Sequence, residues 1–187
     1  MNEMHLQFLA SPEWAKMLET DLLPWIVDAG DLGDDVLEIG PGPGLTTDLL
    51  RERVPRVTAV ELDDDLAAQL AERVAGTNVE VVHGDATKSG LPSDRFTTAT
   101  CFSMLHHMPE PRLQDELFAE VHRVLRPGGQ FVGVDALDSE PMRKGHVDDV
   151  FVPVDPDTFG ARLEAAGFAS TEIDLGDYQF RFRARKR

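Results

Sequence analysis

The stretch Val36-Leu37-Glu38-Ile39-Gly40-Pro41-Gly42-Pro43-Gly44 decides the fold of this chain. With Asp35 in front, it reads as a short apolar strand, Asp35 to Ile39, that runs straight into a glycine cluster. Thr46 to Arg53 then has the pattern of a helix. Open α/β sheets bind ligands at the carboxyl ends of their strands, near the point where strand order reverses. Glycines at such a place let the backbone turn tightly and approach a ligand closely. The next helix points free N–H groups and its positive dipole end at the same spot, which suits a carboxylate or a phosphate.

The alternation continues downstream. Arg56 to Val60 is a second strand, and Asp63 caps a helix with Leu66, Leu70 and Val74 on its apolar face. Val79 to Val82 is a third strand and Phe96 to Phe102 a fourth. Leu113, Leu117, Val121 and Leu125 mark a helix that stops at the turn signal Arg126-Pro127-Gly128-Gly129, before a fifth strand, Gln130 to Val134. Residues 136–154 have no clear period and read as a loop or short helix. Asp155-Pro156 starts a last helix with Phe159, Leu163 and Ala166 inward. Thr171, Ile173 and Leu175 alternate as a sixth strand; Tyr178, Phe180 and Phe182 alternate as a seventh. Alternating strands and helices predict a parallel sheet with helices on both faces. The tight Gly176-Asp177 turn makes the closing pair antiparallel.

Upstream, Ser11-Pro12-Glu13 opens a helix carrying Trp14, Met17, Leu18, Leu22, Trp25 and Ile26, kinked or restarted at Pro24. The expected organisation is one domain over 1–187. It comprises a helical cap over 1–30, a ligand-binding core over 35–135, and a lid segment with the closing strands over 136–187.

A length of 187 residues suits one domain of moderate size. No apolar run approaches a membrane span, and Met1 to His5 lacks the pattern of a signal peptide. The single cysteine, Cys101, fits a reducing cytoplasm. A formal net charge of −16 argues against a protein whose main task is to grip nucleic-acid phosphates. The last seven residues, with five cations, are the local exception and read as an edge strand with arginines on its wet face.

The details of the glycine cluster choose the ligand. Gly40, Gly42 and Gly44 give Gly-x-Gly-x-Gly, and Leu45 stands where a dinucleotide fingerprint needs its third glycine. There is no Gly-Lys-Ser/Thr of a phosphate loop. Glu38, two residues before the first glycine, repels a pyrophosphate and favours an ammonium group. Glu61 ends the second strand, where an acid accepts both hydroxyls of a ribose. Asp85 ends the third in Gly84-Asp85-Ala86, placed to accept from an exocyclic amine. The ligand implied has a carboxylate, an ammonium, a ribose and an adenine but no phosphate, a list that S-adenosylmethionine fits.

Val36 to Gly44 resembles motif I of the class I S-adenosylmethionine-dependent methyltransferases. Val57 to Leu62 resembles their acidic second-strand motif, and Gly84-Asp85-Ala86 their adenine-binding motif. Cys101 to Met108 and Leu125 to Phe131 resemble the fourth-strand and fifth-strand motifs of the methyltransferase type 11 subgroup. The resemblance implies a Rossmann-like, seven-stranded mixed sheet of order 3-2-1-4-5-7-6, the last strand antiparallel. It implies that Glu38, Gly40, Gly42 and Gly44 hold the methionine part. It assigns Glu61 to the ribose, Leu62 to packing on the adenine, Asp85 to the adenine amine and Ala86 to the ring. Phe102 and Ser103 offer backbone groups to the ammonium.

The expected acceptor is a small molecule, and the expected state a monomer or homodimer. His106 and His107 follow the fourth strand at the pocket rim. Either one of them removes a proton from the acceptor, or one packs under the loop and the other only shapes the pocket. A metal site from His106, His107 and Asp135 has no supporting ligand spacing, so no metal is expected. His5 to Trp14 and residues 136–154, with Met142, His146 and Phe151, are available to cover the site; Phe8 and Trp14 also suit plain core packing. Three rival readings exist. The stretch Val36 to Ala86 also resembles the ribosomal RNA adenine dimethyltransferases, but their Asn/Asp-x-Pro-aromatic motif is replaced here by Phe102-Ser103-Met104-Leu105. A non-catalytic S-adenosylmethionine-binding module sits poorly with an intact motif I beside two rim histidines. A dinucleotide oxidoreductase is opposed by Leu45 and Glu38.

Overall fold

A computed structural model describes residues 7, 9–28 and 31–187. His5 and Phe8 lie outside the described residues. Seven strands form one sheet: β1 Asp35–Ile39, β2 Arg56–Glu61, β3 Val79–His83, β4 Phe96–Phe102, β5 Leu125–Ala136, β6 Ser170–Leu175 and β7 Gln179–Arg185. Their order is β3-β2-β1-β4-β5-β7-β6. The first five run parallel, and β7 is antiparallel to both β5 and β6. This is the expected topology, with strand order reversing between β1 and β4.

Around the sheet lie α1 Pro12–Met17, a π-helical turn Leu18–Leu22, α2 Leu23–Asp28, α3 Leu45–Arg51, α4 Asp64–Arg73, α5 Pro111–Val124, α6 Glu140–Gly145 and α7 Pro156–Ala165. Local chemistry starts them. Ser11, Asp63 and Asp155 accept from the backbone N–H groups of Trp14, Leu66 and Asp157, and Pro12, Pro111 and Pro156 open α1, α5 and α7. Side chains alternate across β1. Leu37 and Ile39 join the core under α5 and α7, built on Phe118, Phe131, Phe159, Phe180 and Phe182. Val36 joins the core of the opposite face with Trp14, Leu18, Leu22, Ile26 and Leu50. Burying each such side chain is worth roughly 1.5–3 kcal/mol. Among the described residues no helix is long and apolar enough to cross a membrane.

Three expectations change. Leu125 is not helical: Pro127 cannot continue the helix, and Leu125 pairs with Phe96 as the start of β5, with a register shift before Thr98. The basic tail is not an edge strand, because β7 lies between β5 and β6. Its arginine face is half covered: Arg181 and Arg183 stack at 5.6 Å on Trp25 of α2, and Arg181 also pairs with Asp21. The closing hairpin alternates only in part, since Leu175 and Tyr178 are exposed and Tyr178 precedes β7.

Candidate functional site

The carboxyl ends of β1 to β4 meet around a cavity of about 550 Å³, within the usual range for a small-molecule site. β1 runs out at Gly40, whose N–H donates to Val60 O at 2.9 Å. Gly40, Gly42 and Gly44 all take left-handed φ values, of +64°, +55° and +83°, so the loop needs glycine at each. A side chain on Gly42 would meet no atom within 4 Å, because this part of the loop faces the cavity. The Arg73 guanidinium, on α4, braces the loop by donating to Pro43 O and Gly44 O.

The acids of β1, β2 and β3 take different places. Glu61 lines the cavity; its Oε2 accepts from Gly42 N at 2.9 Å and its Oε1 from Asp63 N at 3.0 Å. A carboxylate has about four acceptor positions, so both oxygens keep capacity for hydroxyl donors. Asp85 also lines the cavity and uses one oxygen, Oδ1, to accept from the N–H and hydroxyl of Thr87, each at 2.8 Å. Glu38 does not reach the wall. It shares its face of β1 with Val36 and turns toward α3, where Thr46 and Thr47 donate hydroxyl hydrogen bonds to it. Burial pushes its pKa from 4.5 up to about 7, the two threonines oppose that shift, and Asp48 and Glu61 add to it.

Of the residues singled out from sequence, Gly40, Gly42, Glu61, Leu62, Asp85, Ala86, Phe102, Ser103 and His107 line the cavity. Glu38, Gly44 and His106 stand behind it. Ser103 takes a left-handed φ of +52° as the chain leaves β4, and its N–H donates to Val134 O at 2.8 Å. The far side of the cavity is apolar, with Leu9, Trp14, Met104, Met108, Leu113 and Leu117. Cys101 is buried, and burial pushes its thiol well above the usual range, so it is no nucleophile.

The two histidines part company. His106 is 1% exposed, and its Nδ1–H donates to Asp135 Oδ1 at 2.6 Å. Asp135 also accepts from the N–H groups of Leu105 and Ala136. His107 faces the cavity, its Nδ1 3.9 Å from an Asp149 carboxylate oxygen. His146 joins them from the end of α6, its Nδ1–H donating to Met142 O at 2.7 Å. One ring nitrogen from each of the three lies within 4.8 Å of the others. Asp135 thus stands behind His106, and it is His146 that the fold groups with the two histidines. His146 lies 39 positions after His107, so no local spacing reveals this grouping.

Residues 36–129 match the family described as methyltransferase domain. The chain is 36% identical over 121 residues to a dimethyladenosine transferase of Schizosaccharomyces pombe, across 55% of this chain and 39% of that protein. It is 31% identical over 111 residues to a ubiquinone biosynthesis O-methyltransferase of Pseudomonas fluorescens, across 57% of this chain and 46% of that one. The chain thus spans less than half the length of these relatives. The PH0226 protein of Pyrococcus horikoshii has the same fold, with a TM-score of 0.82 at 19% identity over 96% of this chain and 94% of that one. A phosphoethanolamine N-methyltransferase of Haemonchus contortus, solved with S-adenosylhomocysteine, reaches 0.71 at 16% identity over 84% of this chain and 49% of that one. With its matched core and its 3-2-1-4-5-7-6 sheet, this chain belongs to the methyltransferase domain family and has the class I S-adenosylmethionine-dependent methyltransferase fold.

Proposed function

We propose that the protein transfers a methyl group from S-adenosylmethionine to a small-molecule acceptor. One observation carries this reading: the glycine loop, Glu61 and Asp85, from the ends of three adjacent strands, line one cavity. The residues present fit that cofactor. Gly42 leaves open the space that a side chain would fill. Glu61 has acceptor capacity for two ribose hydroxyls, and Asp85 for the adenine amine. Leu62 and Ala86 pack on the ring, and the backbone of Gly40, Phe102 and Ser103 serves the amino-acid end. Glu38 and Gly44 act from behind, by fixing the loop.

The cofactor supplies an electrophilic methyl group on a sulfonium. The chain supplies position and dryness. Trp14, Met104, Met108, Leu113 and Leu117 present an apolar wall that excludes water from the acceptor side. Of the adjacent His106 and His107, only His107 faces the cavity, so it is the one to touch an acceptor or its proton. His106 is a positioning residue. In this reading 35–135 holds the cofactor and most of the acceptor wall, and Leu9 and Trp14 complete that wall; the expected cover over 136–154 contributes no lining residue and reaches the site only through His146, behind His107.

A second reading, an RNA adenine methyltransferase, is favoured by the identity to the dimethyladenosine transferase. The net charge of −16 and the stretch Phe102-Ser103-Met104-Leu105 speak for the first. The deciding experiment incubates the protein with methyl-labelled cofactor and either small ribosomal subunits or a metabolite extract. Label in metabolites alone is expected. Label in RNA overturns the small-molecule reading, and tighter calorimetric binding of NAD than of S-adenosylhomocysteine overturns the cofactor.

A further inference from the structure

We propose that His106, His107 and His146 hold a divalent transition-metal ion of the zinc class at the acceptor-side wall of the cavity. Three imidazoles from two distant stretches, the turn after β4 and the end of α6, bring one ring nitrogen each to within 4.8 Å of the others. Three nitrogen donors of this kind suit zinc, copper or nickel and not magnesium or calcium.

The surroundings carry the argument further. Metal-bound imidazoles are held by a second oxygen acceptor that fixes the ring and its tautomer. Here the Nδ1 of His106 donates to the Asp135 carboxylate at 2.6 Å, and that of His146 to the Met142 carbonyl at 2.7 Å. His107 has the Asp149 carboxylate 3.9 Å from its Nδ1. In His106 and His146, Nε2 would then be the ligating nitrogen. Phe151 packs on the His106 and His146 rings, at 5.6 and 4.6 Å between centroids, and dries the cluster.

Ligands at roughly 2.0–2.1 Å from a tetrahedral ion stand about 3.4 Å apart. Contraction from 4.8 Å needs a shift of about an ångström, the scale of an imidazole rotation. The backbone is already tied: Val152 N donates to His106 O at 2.8 Å, and the Gln114 amide bridges Leu105 O and Val152 O. The ion would pin the segment around α6 to the loop after β4. His107 would put it beside the bound acceptor.

The test uses the full chain without a polyhistidine tag, stripped by a chelator and dialysed. Cobalt(II) is titrated in and read by its visible ligand-field bands; zinc is counted by elemental mass spectrometry. The expected result is one equivalent of either metal, the spectrum of a low-coordinate nitrogen site, and a zinc-dependent rise in Tm. His146→Ala should lose all three. His146→Gln, which keeps a donor for Met142 O, should lose them too and guards against simple misfolding of the alanine variant. Absence of a stoichiometric ion from the parent, or its undiminished retention by the folded His146→Gln protein, overturns the proposal.

Discussion

Glu61 Oε2 accepts the backbone N–H of Gly42 at 2.9 Å, so the acid that ends β2 and the loop that ends β1 move as one. The same carboxylate holds Asp63 N at the start of α4. A single side chain therefore sets the loop and offers acceptors to the cavity.

Glu61→Ala should lower affinity for S-adenosylhomocysteine by about ten- to a hundredfold, since a hydrogen bond to a charged group is worth roughly 1.5–3 kcal/mol. It should also lower Tm, because two backbone N–H groups lose their acceptor. Calorimetric titration at matched Tm margins checks this. Parent-like affinity in the variant would put the cofactor elsewhere.

Gly42→Ala should separate fold from binding. Its φ of +55° is strained for alanine, at about 1–2 kcal/mol, but the added methyl touches nothing in the protein. The variant should fold with a modest loss of stability and bind S-adenosylhomocysteine poorly, since the methyl stands in the cavity. Circular dichroism and calorimetry on one sample decide it; tight binding by the folded variant counts against the loop as the cofactor cradle.

The sheet was legible because its signals are local. Gly40 to Gly44 follow a buried strand directly, Asp63 and Asp155 cap their helices, and Gly176-Asp177 reverses the chain. The site was legible wherever an acid or glycine ends a strand, as at Glu61 and Asp85. What failed needed tertiary knowledge. Leu125 keeps the helical period of Leu117 and Val121, yet Phe96 claims it as a sheet partner. Arg181 and Arg183 alternate as on a wet face, but Trp25, far away in sequence, covers them. His146 meets His106 and His107 only because the segment after β5 folds back over the loop after β4.

Glu38 makes stability fall as pH rises. Its pKa stands at about 7 in the folded chain against 4.5 when exposed, so between these values the folded state binds more protons than the unfolded. Its contribution is complete below about pH 4.5 and is lost as pH climbs through 7, a change on the order of 3 kcal/mol. Glu38→Gln should flatten the slope of stability across that window and gain on the parent above it. Denaturant unfolding at several pH values reads the slope; an unchanged slope assigns it to other groups.

Asp135 offers the last test. It is fully buried and accepts three N–H groups, from Leu105, His106 Nδ1 and Ala136. Asparagine has the same shape but turns one acceptor oxygen into an NH2 donor. At least one of the three donors must then face another donor in a fully buried site, at roughly 1–3 kcal/mol. For a domain of this size each kcal/mol lowers Tm by about 2–4 °C. Asp135→Asn should therefore melt several degrees below the parent even when stripped of metal. Asp135 does not line the cavity, so the affinity of the stripped protein for S-adenosylhomocysteine should stay close to parental. Its second effect should appear only with metal. Loss of the carboxylate behind a ligand imidazole typically weakens metal binding by about 10–100-fold, so cobalt titration should shift by that factor while the stoichiometry stays at one. A lowered Tm with unchanged cobalt affinity would leave Asp135 as a structural acceptor alone; parent-like values of both would mean that the His106 hydrogen bond sets neither the loop nor the ligand.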